Sequence, residues 1–371
     1  MFTVFKKSEM VEGALDAVWR AMAWSFNHLL EGKWPSQNIH GRAIAGGGKW
    51  LADGWRGALC QACADWAFYC EVFGFPQWNA AERMCWLCRA SSTIPELVFS
   101  RFGPDAGWRS TRWTHETYIE YLRAAGLAIP ALLIAIVGFR LECVMIDTLH
   151  TVDQGVASHI VANVIWLVVV QRKKLGGTTQ ESQIAAVNEH LRRWYQSAKR
   201  GTNKIQGKVT VQRVRTSGGW PKLKAKAAAR RHLAAYALHL MTSHGNPADR
   251  KELAVCQLLV RFYEILDNES MYLSPAANRE LVKVGSQLCI LYTSLAADAA
   301  HNGSKMWKCT PKRNLFAHLC EWQAGEAGNP RFCWPQADED LDGLLVEVAE
   351  SCHPLTMSVS ALFKWVHTYF E

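Results

Sequence analysis

Several common functional signatures are missing from this 371-residue chain. It has no P-loop, no glycine fingerprint for a dinucleotide and no nucleophile elbow. The GGGK run at 46–49 lacks both the spacing and the preceding strand of a phosphate-binding loop. Nucleotide hydrolysis, dinucleotide-dependent redox chemistry and serine-type hydrolysis therefore have no support. No repeat of fixed period is visible, which argues against a solenoid or a propeller.

The chain also lacks a hydrophobic run long enough to cross a membrane, which needs about 20 residues. Gly126–Phe139 is broken by Pro130, and Val156–Val170 contains His159 and Asn163. We interpret both stretches as buried core and expect no membrane association. The N-terminal residues have no apolar core of a signal peptide, and the 12 cysteines stand at irregular spacings. We therefore expect reduced thiols in a nuclear or cytoplasmic, intracellular protein that is not secreted.

Acidic residues are absent between His190 and Ala248, although the same stretch carries thirteen lysines and arginines. A field of one sign is typical of phosphate neutralisation, and Trp194, Tyr195 and Trp220 offer flat surfaces for an unstacked base. The alternative is a solvated helix face with a flexible loop. We predict DNA as the partner. The sequence is compatible with either a monomer or an oligomer. The expected contacts are Arg192, Arg193, Lys199, Arg200, Lys222, Lys224, Lys226, Arg230 and Arg231.

A helical period dominates what is present, and the best strand signal, Leu141–Ile146, is short and stops at Asp147. We expect a mainly α fold with a small α/β part, divided into 1–174, a basic helical insertion at 175–306, and 307–371 with the acidic DEDLDG motif. The predicted helices are Ser8–Gly32, Thr114–Ala125, Gln180–Gln196, Leu223–Thr242, Asp249–Leu266, Pro275–Ala300, Pro311–Gln323, Asp338–Ser351 and Leu355–Phe370.

Two C-x2-C pairs occur in the first part of the chain, with a central gap slightly longer than that of a four-thiolate zinc site. Cys60 and Cys63 fit one face of a helix over 57–72, which favours core packing. Cys85 and Cys88 lie between a turn and a loop, where zinc binding and plain burial are equally well supported. If zinc binds there, Cys60 and Cys63 or His115 are the candidate further ligands.

Four segments, CWLCRA, DTLHTVDQGV, KRNLFAHL and WPQADEDLDGLL, together resemble a known pattern. In that order they are similar to transposon-derived proteins of the DDE transposase group, closest to CACTA-type elements and to related sequences multiplied in protist genomes. The resemblance covers about 57–352. It implies a ribonuclease-H-like core with a large helical insertion, DNA as the partner and Mg²⁺ as the cofactor of an active enzyme, with Zn²⁺ as a further candidate ion.

Carried over position by position, the resemblance implies roles for individual residues. Asp65 resembles the second catalytic acid and Glu339 the final one. Asp147 and His150 resemble the D-x2-H motif, so the expected acids are Asp65, Asp147 and Glu339. Cys85 and Cys88, together with His150, are the expected metal-binding side chains.

The sequence departs from this pattern in three ways. No strand ending in Asp is visible before Leu51, so the resemblance implies a chain that begins after the first catalytic acid. CQACADW reads as helix where a strand should carry the second acid, and Arg313 stands where the pattern has a His. We therefore expect an incomplete core and a decayed or domesticated fragment without full strand-transfer activity.

Two alternatives stay open. Asp147 and the acids at 338–340 could simply cap helices, because carboxylates at a helix N-terminus accept backbone N–H groups. The whole chain could instead be a helical scaffold or protein-interaction module, with or without zinc.

Overall fold

The computed structural model describes residues 11–198 and 201–353, and then 356–357, 360–361, 363–364 and 367; the side chains of 336–340 and 342 are excluded. The predicted helix Leu355–Phe370 therefore lies largely outside the described residues, as do Lys199 and Arg200. The helices are α1 (Ala14–Glu31), α2 (Trp66–Phe73), α3 (His115–Ala124), α4 (Ala131–Ala135), α5 (Ser158–Ile165), α6 (Gln180–Ser197), α7 (Val211–Val214), α8 (Ala227–His244), α9 (Arg250–Asn268), α10 (Pro275–His301), α11 (Lys312–His318), α12 (Ala324–Glu326) and α13 (Gln336–Glu350).

The helix ends follow local capping chemistry. Thr179 and Ser182 form a capping box at the start of α6, and Thr114 does the same with Thr117 at α3. Ser274 caps α10, whose first residue is proline. The predicted mainly helical fold is confirmed, and most of the predicted helix bounds agree to within three residues.

A two-stranded parallel sheet is the α/β part among the described residues. β1 (Ala62–Cys63) pairs with β2 (Val144–Met145), with Cys63 opposite Met145. The predicted helix over 57–72 is therefore wrong in its first half. Residues before Asp65 are extended because their backbone pairs with β2, and the Asp65 carboxylate then caps α2 by accepting from Phe68 N.

One continuous helix over Leu149–Gln171 forms the centre of the core. It consists of α5 with a π-helical segment on each side, Leu149–Ala157 before it and Trp166–Gln171 after it. It is long and apolar enough to cross a membrane, but 94% of its most apolar 18-residue window is buried inside the protein. The helices α8 and α11 pack against it, so the prediction of buried core for Val156–Val170 is confirmed.

The other apolar stretch, Gly126–Phe139, is buried on one side only. Leu133 and Phe139 are in the core, whereas Ile134 and Val137 are 61% and 64% exposed. Pro130 sits at the start of α4, which ends after five residues, so this segment is too short and too irregular to bury both of its faces.

The predicted start of α8 at Leu223 is also four residues early. Residues 221–226 are not helical, and Leu223 N donates to Ser158 O of the central helix. This contact holds the basic tract against the core and places Lys222 beside the carboxyl end of β2.

Candidate functional site

The carboxyl ends of the two strands bring two predicted acids together. Parallel pairing of Cys63 with Met145 places Asp65 and Asp147, each two residues further on, opposite each other across the sheet edge. Neighbouring strands lie about 4.8 Å apart. Both acids also influence the same amine, that of Lys312. A two-residue strand therefore precedes Asp65, where the sequence pattern suggested a helix.

Each of these acids caps the helix that follows it. Asp65 Oδ1 accepts from Phe68 N at 2.7 Å, and Asp147 Oδ1 accepts from His150 N at 3.2 Å. The His150 ring bonds to the other carboxylate oxygen of Asp147 through Nδ1. Capping explains the position of both carboxylates. It does not explain why both residues line the same cleft, where Asp147 is buried.

The cleft has a volume of about 630 Å³ and is bounded by β1, the central helix, the basic tract and α11. Its walls combine the acids with indole rings and amines. These side chains are Asp65, Asp147, His150, Trp66, Trp78, Trp220, Lys222, Lys308 and Lys312. Trp78 is 57% exposed, so an aromatic face is available to a ligand at the mouth.

Two of the lysines are held in an environment that disfavours their charge. Burial, together with the nearby Lys222 and Arg230, lowers the pKa of Lys312 to about 8, although Asp147 and Asp65 act in the opposite direction. Burial also lowers the pKa of Lys222, as do Arg230, Lys308 and Lys224. Lys312 Nζ donates to His150 O at 2.7 Å. A ligand with negative charge would relieve this crowding of cations.

The lysine reaches the cleft because a glycine makes room for it. A Cβ on Gly155 of the central helix would lie 2.8 Å from Lys312 Cδ and 3.1 Å from His150 O. Any larger residue would displace the Lys312 side chain or the backbone.

The third predicted acid, Glu339, is on α13, and its side chain lies outside the described residues. The chain leading to it is anchored at the sheet edge, where Cys333 O accepts from Thr148 N at 3.0 Å and from Cys63 Sγ at 3.5 Å. α13 begins three residues after Cys333. Convergence of Glu339 with Asp65 and Asp147 therefore stays a prediction.

A second site forms where CWLC meets the end of α11. Cys85 Sγ, Cys88 Sγ and a ring nitrogen of His318 all lie within 4.8 Å of one another, and all three residues are buried. Cys88 Sγ is 3.2 Å from His318 Nε2. Leu87 N donates to Cys85 Sγ at 3.3 Å and Ala90 N to Cys88 Sγ at 3.4 Å. Thiolates need such N–H donors, so this cluster could hold a metal ion such as zinc.

The two thiols differ in their affinity for a proton. Burial favours the protonated form of Cys85, but the hydrogen bond from Cys88 and the nearby His318 outweigh it and hold the Cys85 pKa well below its usual value. Burial and the neighbouring Cys85 raise the Cys88 pKa. The surroundings therefore favour the thiolate form more at Cys85 than at Cys88, and a bound cation would favour deprotonation of both thiols.

The ligands differ from those expected. Cys60 is exposed, Cys63 bonds to Cys333, and His115 Nδ1 accepts from Leu141 N at 3.1 Å, so the predicted sharing of zinc with these residues is wrong. His150 lies beside Asp147 and is not in this cluster. The sequence analysis matched the KRNLFAHL helix to the pattern but did not predict His318 as a metal ligand. The presence of a His on that helix was the feature that could have indicated it.

Side chains around the cluster fix its histidine. The His318 ring stacks on Trp322 with centroids 4.1 Å apart and meets the edge of Trp108 at 5.0 Å. Arg313, which replaces the first His of the pattern, is buried with its guanidinium 3.9 Å from the Tyr292 ring centre. A guanidinium stays protonated and cannot bind a cation. Asn314 Oδ1 accepts a hydrogen bond from Cys88 Sγ at 3.8 Å.

The predicted DNA contacts divide into three groups. Arg192 and Arg193 pair with Glu189, one residue before the acid-free stretch, and Arg231 pairs with Asp267. Lys224 and Lys226 are exposed, whereas Lys222 and Arg230 are half-buried near the cleft. The one-signed field of the sequence is therefore partly neutralised in the fold, and Lys222 of this group lines the cleft.

Comparison of the chain with protein-family models, with curated proteins and with solved structures gives no match.

Proposed function

We propose that this chain is a transposase-like nucleic-acid-binding protein whose cleft at the sheet edge holds a phosphodiester backbone. The observation that carries the proposal is the placement of Asp65 opposite Asp147 in a cleft that also contains Lys222, Lys308 and Lys312. Amines neutralise phosphates, and paired carboxylates attract the hard cation that accompanies them.

Base contacts have a candidate surface in the same cleft. Trp78, Trp66 and Trp220 line it, and stacking of a base on an indole ring contributes about 1 to 3 kcal/mol per base. A strand with unstacked bases would use both the amines and the rings. This combination favours a nucleic acid over a small anion.

Catalysis is not part of the proposal. A two-metal site needs carboxylates around two ions about 3.5 to 4 Å apart. The described residues bring two predicted acids together, and each already accepts backbone hydrogen bonds. We propose that Asp65 and Asp147, with Glu339, hold at most a single Mg²⁺ that helps to position a phosphate.

The buried cluster supports a structural role for Zn²⁺. Two thiolates and an imidazole are ligands that zinc prefers, and all three residues are buried. Bound zinc would tie the CWLC segment to α11 and so fix the helix that carries Lys312.

The test is DNA binding by the full chain as a function of salt at pH 7, where Lys312 is mostly protonated. On single-stranded DNA, log K should fall by about 0.7 per phosphate neutralised for each tenfold rise in salt. The double variant Lys222→Gln/Lys312→Gln should reduce that slope by about 1.4. Arg192→Gln is the matched control and should leave the slope unchanged, because Arg192 is paired with Glu189.

Salt-independent affinity, or no binding at low salt, would contradict the proposal and favour the helical scaffold instead. Equal effects of the two variants would show that the whole basic tract, rather than the cleft, contacts the DNA.

A further inference from the structure

Three histidines that no part of the proposed function uses lie together on α6 and α8. His190 Nε2 of α6 is 3.3 Å from His244 Nε2, on the last residue of α8. The ring of His239, one and a half turns earlier on α8, lies 5.6 Å from the ring of His190 at an interplanar angle of 29°. His239 is exposed, and the other two are half-buried.

The distance between the two Nε2 atoms fits a shared ion. Imidazole nitrogens bind Zn²⁺ at about 2.0 to 2.1 Å in tetrahedral geometry, which separates two ligand nitrogens by about 3.3 Å. The rings therefore need little movement to bind one cation between them. A neutral pair joined by a hydrogen bond would have a similar separation, so further features must distinguish the two cases.

The surroundings of His190 favour a ligand. Its other ring nitrogen, Nδ1, is 3.1 Å from the hydroxyl of the buried Tyr236. Metal-binding histidines typically donate their second N–H to such a partner, which fixes the ring and its tautomer.

The charges around the pair are also compatible with a cation. His244 ends the 18-residue α8, and the carbonyl end of a helix carries partial negative charge. Arg193 is a positive side chain that acts on His190. Glu189 Oε1 lies 3.5 Å from Arg193 Nε and offsets the charge of that arginine.

We propose that His190 and His244 bind a divalent transition-metal ion of the class that prefers imidazole, with Zn²⁺ as the simplest candidate. His239 supplies a third ligand once its exposed side chain rotates towards the pair, and water completes the coordination. This site links α6 to α8, the two helices that flank the basic tract. It is separate from the Cys85, Cys88 and His318 cluster.

The test counts Zn²⁺ bound to the intact protein by native mass spectrometry and measures each affinity by competition with a chelator. Wild type should bind two equivalents of Zn²⁺. His190→Gln and His244→Gln should each weaken zinc binding at the histidine site by about 100-fold or more, so that each variant retains one equivalent. Tyr236→Phe should keep both ions and weaken one by about 10-fold, because it removes only the partner of Nδ1. His301→Gln, an exposed histidine at the end of α10, is the matched control and should change nothing.

Cobalt substitution identifies the site independently of any variant. Co²⁺ at the histidine pair should show d–d absorption without the thiolate charge-transfer bands that Cys85 and Cys88 would produce. Binding of one equivalent whose spectrum is entirely of the thiolate type would overturn the proposal, as would unchanged zinc content in both His190→Gln and His244→Gln. Either result would leave the pair as a hydrogen-bonded contact between two helices.

Discussion

The two C-x2-C pairs have the same spacing but different structural surroundings. Cys85 and Cys88 are buried, receive backbone N–H groups and meet His318. Cys60 is exposed, and Cys63 is the last residue of β1, where its thiol bonds to the Cys333 carbonyl. The spacing brings two sulfurs close together in sequence. A metal centre also requires a backbone turn that supplies N–H donors and a third ligand from elsewhere in the chain.

The largest expected effect separates the two pairs by stability. Cys88→Ser should abolish zinc binding at the cluster and lower the free energy of unfolding by about 4 kcal/mol, because loss of a bound metal is among the few single-residue changes of that size. Cys60→Ser should cost less than about 0.5 kcal/mol, since the residue is exposed. Urea unfolding with a parallel zinc assay measures both. Equal losses for the two variants would remove the distinction between the pairs.

The next effect concerns the cleft side of the comparison. Lys312 has a pKa of about 8 in the folded protein and an ordinary value of 10.5. Between these values the unfolded chain binds the proton and the folded chain does not, so the free energy of unfolding rises with pH in this window. Below about pH 8 the buried charge destabilises the fold. Lys312→Met should therefore stabilise the protein at pH 7 by up to about 3 kcal/mol, with the gain fading towards pH 10.5.

The difference between wild type and variant, measured by chemical unfolding from pH 7 to 10.5, isolates this lysine from other groups. Lys251→Met is the control, because its amine is exposed and paired with Asp298, and it should show no such pH dependence. A constant difference between wild type and Lys312→Met across this range would mean that the lysine is not held in a charge-disfavouring site.

The smallest effect tests whether Asp65 is more than a cap. Asp65→Ala should cost about 1 kcal/mol through loss of the hydrogen bond to Phe68 N, whereas Asp65→Asn should cost less, because Asn is an equally good N-cap. Wild type should show no Mg²⁺- or Mn²⁺-dependent nicking of DNA. Metal-dependent nicking that Asp65→Asn abolishes without loss of stability would make the sheet edge a working nuclease site.

Local chemistry made most of the helices predictable. The apolar period placed α6, α9 and α10 closely, and the structure shows Thr179 and Ser274 as caps where α6 and α10 begin. The strand before Asp65 could not be read from the sequence, because two paired residues are too few to show alternation and CQACADW also fits a helix. His318 was hidden for another reason: its partnership with Cys88 spans 230 residues, and spacing within a segment carries no information on such contacts.

The sequence predicted the net positive charge of the basic tract but not which of its cations are paired in the fold. The acid-free stretch was correctly seen, yet Glu189 and Asp267, both outside it, neutralise Arg192 and Arg231. Pairing across helices depends on the packing of α6, α8 and α9. The sequence alone therefore overstated the number of cations that are available to DNA.

The seven residues of α11 place Lys312 in the cleft and His318 at the metal cluster. Six residue steps of helix span about 9 Å, and this fixed length separates the two side chains. An insertion or deletion of one residue within α11 would rotate one end by about 100° relative to the other and shift it by about 1.5 Å. Loops of this chain can vary in length as the sequence diverges, but this helix can change only by substitution if it is to serve both ends.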